Sequence, residues 1–266
     1  MSFWVGLGAG VFGGLVGLGG GVVMIPMLVG ILKLNQHQAH GTSLIALVFA
    51  GLVGASTYAF HGRVDVTASL LLAAAALWPA RIGAQCCRLL PEMKLKRIFG
   101  VFQIVMALLL LFKPYLAPTA APMEGWLKVV TLLATGVVTG FLSGLMGIGG
   151  GAIMIAAMVL LVGYGQHIAQ GSSLLAMVPA GAVGAFTHWR HGQVAVSLIK
   201  GLAVGIALGS FAGAGIAQFL PELVLRIVFA VVLVGLGVRI LLTKSPVLEC
   251  DVPTADNEKL ATGNGR

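Results

Sequence analysis

Two short stretches carry the residue types from which a small-anion site could be built, and each occurs twice. The first is Gly13-Gly14-Leu15-Val16-Gly17-Leu18-Gly19-Gly20-Gly21, which returns 130 residues later as Ser143-Gly144-Leu145-Met146-Gly147-Ile148-Gly149-Gly150-Gly151. Each copy lies inside an apolar run that would otherwise form one long helix. Glycine is the poorest helix former after proline, so the clusters are expected to open that helix. An opened turn presents free backbone N–H groups and the positive end of a helix, which together suit a small anion. Broken backbone survives at membrane depth only where protein or a watery cavity surrounds it, and matched breaks in two repeats point to a transporter's substrate site. The plainer account, close helix packing through small residues, fits a lone glycine pair better than a duplicated Gly-x-Gly-Gly-Gly.

The second stretch is Gln36-His37-Gln38-Ala39-His40-Gly41-Thr42-Ser43, matched by Gln166-His167-Ile168-Ala169-Gln170-Gly171-Ser172-Ser173. The hydroxyl residues open apolar runs, so N-capping is one account of them. Donation to an oxyanion beside the glycine turn is the other, and the two can coexist. His37 and His167 are either interfacial histidines or groups that handle substrate or protons. The candidate substrate-binding set is therefore Gly19, Gly20, Gly21, Gln36, His37, Thr42, Ser43, Gly149, Gly150, Gly151, Gln166, His167, Ser172 and Ser173. His61-Gly62-Arg63 and His188-Trp189-Arg190-His191-Gly192 close two apolar runs, as interfacial anchors or as a vestibule that draws anions. Arg81 lies within an apolar run and aligns with Phe211, so the repeat does not keep it.

Several chemistries are disfavoured. The eight acids lie in loops, segment edges or the tail, whereas cation pathways and carboxylate relays need an acid within a span. The histidines lack clustered carboxylate or cysteine partners for a metal, and Cys86, Cys87 and Cys250 show no disulfide or metal spacing. No Ser-His-Asp set supports an enzyme, no basic patch supports nucleic-acid binding, and no cofactor is expected.

The elements that must position these residues are membrane helices. The chain has 266 residues, of which 58% are hydrophobic and 9% charged. Soluble domains carry about 25% charged residues. Eight hydrophobic segments can be marked, at 3–32, 41–60, 66–90, 95–116, 127–162, 171–190, 195–219 and 222–242. Met1-Ser2-Phe3-Trp4 has no basic stretch, so no cleavable leader is expected.

The repeat runs ungapped from Gly10–Val101 to Gly140–Val231. Its orientation follows from charge. If each broken segment crosses once, the loop cations divide six against six. If each enters and returns, Lys33, Arg88, Lys94, Lys96, Arg97, Arg190, Arg239 and Lys244 share one side against Arg63, Lys113, Lys128 and Arg226, eight against four. Only the second division obeys the positive-inside rule. The half-segments beside each cluster, at about 11 residues, are too short to span alone. The expected fold is thus an all-α polytopic membrane protein. It has two homologous, inverted repeats, each a glycine-broken re-entrant helix pair plus three full spans. The organisation is repeat one at 1–116, a linker at 117–126, repeat two at 127–243 and a polar tail at 244–266. Both termini are expected to be cytoplasmic.

Two copies of the Gly-rich turn, each followed by an apolar run and then Gln-His-x-Ala-x-Gly-(Ser/Thr)-Ser-Leu, resemble the sulfite exporter TauE/SafE family of permeases. The resemblance covers about residues 3–242. It implies an inner-membrane permease for sulfite, thiosulfate, sulfoacetate or related organic anions. Pro26 follows the first turn, as it often does in the family, while the second copy has Ala156, so the halves are not equivalent there. The expected partners are a small anion and the lipid bilayer, with no nucleic acid, and a homodimer is compatible with the sequence. A passive anion channel built on the same site is the alternative; a membrane scaffold without transport ranks below both.

Overall fold

The computed structural model describes residues 1–34, 36–86, 101, 104–105, 107–108, 111–112, 125–146, 150–190, 192 and 194–242. Among these residues the regular structure is helical: α1 (Ser2–Val16), α2 (Gly21–Gly30), α3 (Gln36–Phe60), α4 (Val66–Cys86), α5 (Gly125–Met146), α6 (Gly151–Ala157), α7 (Gln166–Arg190), α8 (Val196–Phe219) and α9 (Glu222–Leu242). A π-helical turn, Met158–Val162, extends α6. Four of these helices are long and apolar enough to cross a membrane, namely α3, α5, α7 and α8, and the exposed side chains are largely apolar.

Both glycine clusters break the helix, as expected. α1 ends where Gly17 takes a left-handed conformation (φ 79°), and its N–H returns to Gly13 O at 2.9 Å. Gly20 is also left-handed (φ 77°), and α2 starts from it, with Met24 N–H on Gly20 O at 2.9 Å. Only glycine takes these angles without strain. The chain doubles back here: a Cβ on Gly13 would lie 2.3 Å from Gly20 N, and one on Gly20 2.5 Å from Ala9 O. In the second cluster Gly150 precedes α6 and Met154 N–H bonds Gly150 O at 3.1 Å, while 147–149 lie outside the described residues. The flanking helices are unequal: α1 has 15 residues and α2 has 10, but α5 has 22. The half-length expected on both sides of each break does not hold for α5.

Helices start earlier than hydropathy suggests. The runs expected at 41 and 171 begin at Gln36 and Gln166, so α3 and α7 each cover 25 residues. Thr42 and Ser172 therefore sit two turns inside their helices and do not cap them.

Glycines decide which helices touch. A Cβ on Gly6 would meet Leu202 O at 2.6 Å, on Gly10 Ile206 O at 2.5 Å, and on Gly14 Ser210 O at 2.4 Å, so α1 lies parallel to α8 with backbones in contact. α5 lies on α4 in the same way, Gly136 against Leu72 O at 2.8 Å and Gly140 against Ala76 O at 2.3 Å. Lipid tails are as apolar as leucine, so helices in a bilayer are held by such close packing rather than by hydrophobic expulsion. α3 and α7 cross antiparallel, Gly51 facing Leu174 and Val178, and Gly181 facing Leu47 and Val48. Each half thus lends its first helix to the fourth helix of the other, with α3 and α7 between them.

Candidate functional site

The two glycine turns converge between α3 and α7. A Cβ on Gly151 would lie 3.6 Å from Gly17 O and 2.7 Å from Met177 Sδ. A Cβ on Gly19 would lie 3.2 Å from Leu47 and 3.4 Å from Met177 Cε, so side chains 130 positions apart line both turns. On α2 the intrahelical bonds begin with Val23 and Met24 on Gly20 O, which leaves Gly21 and Val22 among the N–H groups without an intrahelical acceptor. α6 begins likewise from Gly150 O through Ile153 and Met154.

α7 holds the first turn in place. The Ser173 hydroxyl contacts Gly17 O at 3.0 Å and Gln170 O at 2.8 Å. The Gln170 side chain packs on Gly17, where a Cβ would lie 2.8 Å from its Cβ and Cγ. Gln170 is fully buried; its Oε1 accepts from the Tyr58 hydroxyl at 2.9 Å, and Gly14 O lies 3.2 Å from that hydroxyl. Gln170 Nε2 has no partner among the described residues. A buried amide nitrogen without an acceptor is costly, so this donor, beside a glycine turn, is suited to a ligand oxygen.

Thr42 and Ser172 do a different job. Thr42 Oγ1 accepts Ala195 N–H at 3.0 Å, ahead of α8, and Ser172 Oγ accepts Asp65 N–H at 2.9 Å, ahead of α4. Both tie the cores of α3 and α7 to the entries of the long helices. At the second entry Asp65 adds a cluster. Its carboxylate meets Lys128 Nζ at 2.8 Å, accepts a short hydrogen bond from the Tyr164 hydroxyl, and accepts Ala68 N–H at 2.9 Å. Partial burial pushes the Asp65 carboxyl up, but the bonds from Lys128, Tyr164 and Ala68 outweigh it and hold the carboxyl at about 2.

Ser43 is buried, and Gly19, Gly20, Gly21, Gly150 and Gly151 lie in or beside the turns. Gln166 and His167 are buried at the start of α7, His167 against the α8–α9 corner, and neither Gln166 amide atom has a partner among the described residues. Gly149 and the side chains of Gln36, His37 and Arg81 lie outside the described residues. The structure thus gathers Ser173 and the glycines, sends Thr42 and Ser172 to the helix entries, and leaves Gln166 and His167 at the start of α7. Sequence reasoning missed Tyr58 and Gln170. Gln170 had a signal: it aligns with His40, so both halves place a polar residue at that position of an otherwise apolar helix. Tyr58 had none. Trp189 is exposed and Arg190 lies over the Phe186 ring at 5.8 Å, as an interfacial anchor would.

The sequence profile of the family described as "Sulfite exporter TauE/SafE" matches residues 2–240. The chain is 28% identical over 267 residues to the probable membrane transporter protein YunE of Bacillus subtilis, covering 91% of this chain and 98% of that one. It is 26% identical over 254 residues to the probable membrane transporter protein MJ0441 of Methanocaldococcus jannaschii, covering 90% and 93%. A probable membrane transporter protein of Xylella fastidiosa (strain Temecula1) is 26% identical over 232 residues, covering 86% and 89%. No solved structure matches the chain.

Proposed function

The chain belongs to the sulfite exporter TauE/SafE family of membrane transporters, and on that premise we propose that it is an inner-membrane permease for small sulfur-containing anions such as sulfite, thiosulfate or sulfoacetate. The observation that carries this reading is the approach of the two glycine turns between α3 and α7, with a Cβ on Gly151 3.6 Å from Gly17 O. N–H groups that begin α2 and α6 supply positive dipole ends without a fixed cation. Neutral donors desolvate an oxyanion and still let it leave, where a buried arginine would hold it. Gly19 to Gly21, Gly149 to Gly151, Ser43 and Ser173 form the proposed anion site, with Gln36 and Gln166 on its approaches.

The proposed architecture is a pair of inverted repeats with both termini cytoplasmic. Its support is that α3 and α7, with bounds 130 residues apart, run antiparallel, while α1 with α8 and α5 with α4 run parallel. A two-fold axis in the membrane plane relates such elements, and the halves then rock about the site to alternate access.

The test is thermal unfolding of the detergent-purified protein against sulfite, thiosulfate, sulfoacetate, sulfate and acetate. A bound anion at 100 times its Kd adds about 2.7 kcal/mol. A melting shift with a sulfur anion that disappears in Ser173→Ala is the expected result. Absence of any shift, together with absence of anion flux in proteoliposomes, would sink the reading.

A further inference from the structure

His167 is 4% exposed, at the start of the helix that carries Gln170 and Ser173. Its Nε2 lies 3.0 Å from Ala217 O, near the end of α8. A carbonyl oxygen can only accept, so Nε2 carries a proton in this contact. In neutral His167 the lone pair is therefore on Nδ1. That nitrogen is buried and has no hydrogen-bond partner among the described residues, and the nearest charge to it is the Glu222 carboxylate, with Oε1 at 3.8 Å. Two acceptors then face each other across a short gap. One added proton turns the repulsion into an N–H aimed at a carboxylate.

Glu222 is well placed to receive that proton from water. Its side chain is 49% exposed against 5% for His167. It is also held close: a Cβ on Gly165, the residue ahead of α7, would lie 2.3 Å from Glu222 Oε1, so only glycine fits between them. The surrounding charged and titratable groups are few. α9 contributes Glu222 and, one turn on, Arg226. α3 contributes Tyr58, whose hydroxyl is bonded to Gln170, and Arg63 follows that helix with its carbonyl against Gly171. Ahead of α7, Tyr164 is engaged by Asp65, which Lys128 also binds. The described part of α8 at this level offers the Ala217 carbonyl.

We propose that His167 and Glu222 form a proton-binding pair, open to water through Glu222, and that its occupancy couples proton movement to anion movement through this permease. The proposal rests on the anion-permease reading for its second half. A proton from water binds at Nδ1, and the pair goes from net −1 to net zero. The imidazolium then ties the start of α7 to the α8–α9 corner through both ring nitrogens. Loss of the proton leaves one tie, to Ala217 O. Because Ser173 and Gln170 on α7 hold the Gly17 turn, the protonation state biases the helix that shapes the anion site. His37 and Glu92 repeat these residue types at the same spacing in the first half of the sequence.

The experiment uses the full chain in proteoliposomes, with radiolabelled thiosulfate as probe because it stays fully ionised near neutral pH and carries no proton itself. One unit of imposed pH gradient changes the driving force by a factor of about ten. The expected result is that wild-type net flux accelerates several-fold under the gradient. Glu222→Gln should keep thiosulfate exchange without a gradient within about twofold of wild type while losing the acceleration. Gradient-insensitive flux in the wild type, or an unchanged response in Glu222→Gln, overturns the coupling while leaving the permease reading intact. If thiosulfate does not move at all, nitrogen NMR of labelled histidine decides the proton site alone, with the His167 signal identified by its loss in His167→Gln. Proton uptake at Nδ1 between pH 8 and 5 that changes in Glu222→Gln supports the pair; no uptake, or none altered by Glu222→Gln, refutes it.

Discussion

The hydroxyls of Thr42 and Ser172 make the same bond at opposite ends of the molecule, and the comparison shows where the two halves part. Thr42 accepts the N–H of Ala195 at 3.0 Å, and Ser172 accepts that of Asp65 at 2.9 Å. The backbone geometry is shared, yet the side chains 130 residues apart are a methyl group and a carboxylate. Only the carboxylate recruits Lys128 and Tyr164. Tyr164 itself aligns with Leu34, and the turns ahead of them are alike, with Tyr164 N–H on Met158 O at 3.0 Å and Leu34 N–H on Leu28 O at 3.2 Å. The scaffold is therefore kept in duplicate while the chemistry that fastens each entry has diverged. One entry is held by an ion pair and hydrogen bonds, its counterpart by the main-chain bond to Thr42.

The largest effect that can break this comparison lies in the scaffold. Gly10→Leu and Gly140→Leu each drive a side chain into a carbonyl of the adjoining helix, with the Cβ alone at 2.5 and 2.3 Å. Each is expected to cost about 3 kcal/mol or more, enough to remove the monodisperse peak in size-exclusion chromatography. Tolerance of one but not the other would mean that the two parallel contacts are not equivalent.

A smaller effect sharpens the divergence. The Asp65 carboxyl falls from 3.8 to about 2 on folding, so its contribution is complete above about pH 4 and is lost as pH falls through 2. Asp65→Asn is expected to lower stability by about 2 kcal/mol between pH 5 and 8, with the deficit flat across that range and shrinking in acid. Melting curves at several pH values check both the size and the flatness. A deficit that varied between pH 5 and 8 would assign the effect to a different group.

The smallest effect concerns the turns that lead into α3 and α7. Lys33 holds a left-handed φ of 51° where the second half has Gly163 at 84°. A side chain there is strained. Lys33→Gly is expected to raise stability by about 1 kcal/mol and Gly163→Ala to lower it by about as much, again by thermal melting. Equal and opposite shifts would show that the two turns differ in residue and not in backbone.

Much of the scaffold was legible because it depends on local chemistry that occurs twice. The glycine clusters had to break a helix whatever surrounded them, and their recurrence marked the two breaks. The early starts of α3 and α7 were not legible, because Gln36 to His40 and Gln166 to Gln170 look like loop until tertiary partners are known. Tyr58 meets Gln170 112 positions away and Ser173 meets Gly17 156 away, and no periodicity encodes such a meeting. The candidate site was legible as a set of residue types, but the division of labour within it was not. Thr42 and Ser172 sit next to Ser43 and Ser173, yet one residue along a helix turns a side chain by about 100°, and that rotation sends their hydroxyls to the helix entries.

The exchange of helices has a consequence for how the chain is made. α1 leaves the ribosome long before α8, the helix it lies along, and the intervening stretch contains most of the protein. Until Val196–Phe219 arrives, the glycine face of α1 meets only lipid or the machinery that inserted it. The first half cannot settle by itself, and assembly is gated by the last third of the chain. Chains truncated before residue 196 should therefore be recognised as orphans and degraded, however well their own spans insert.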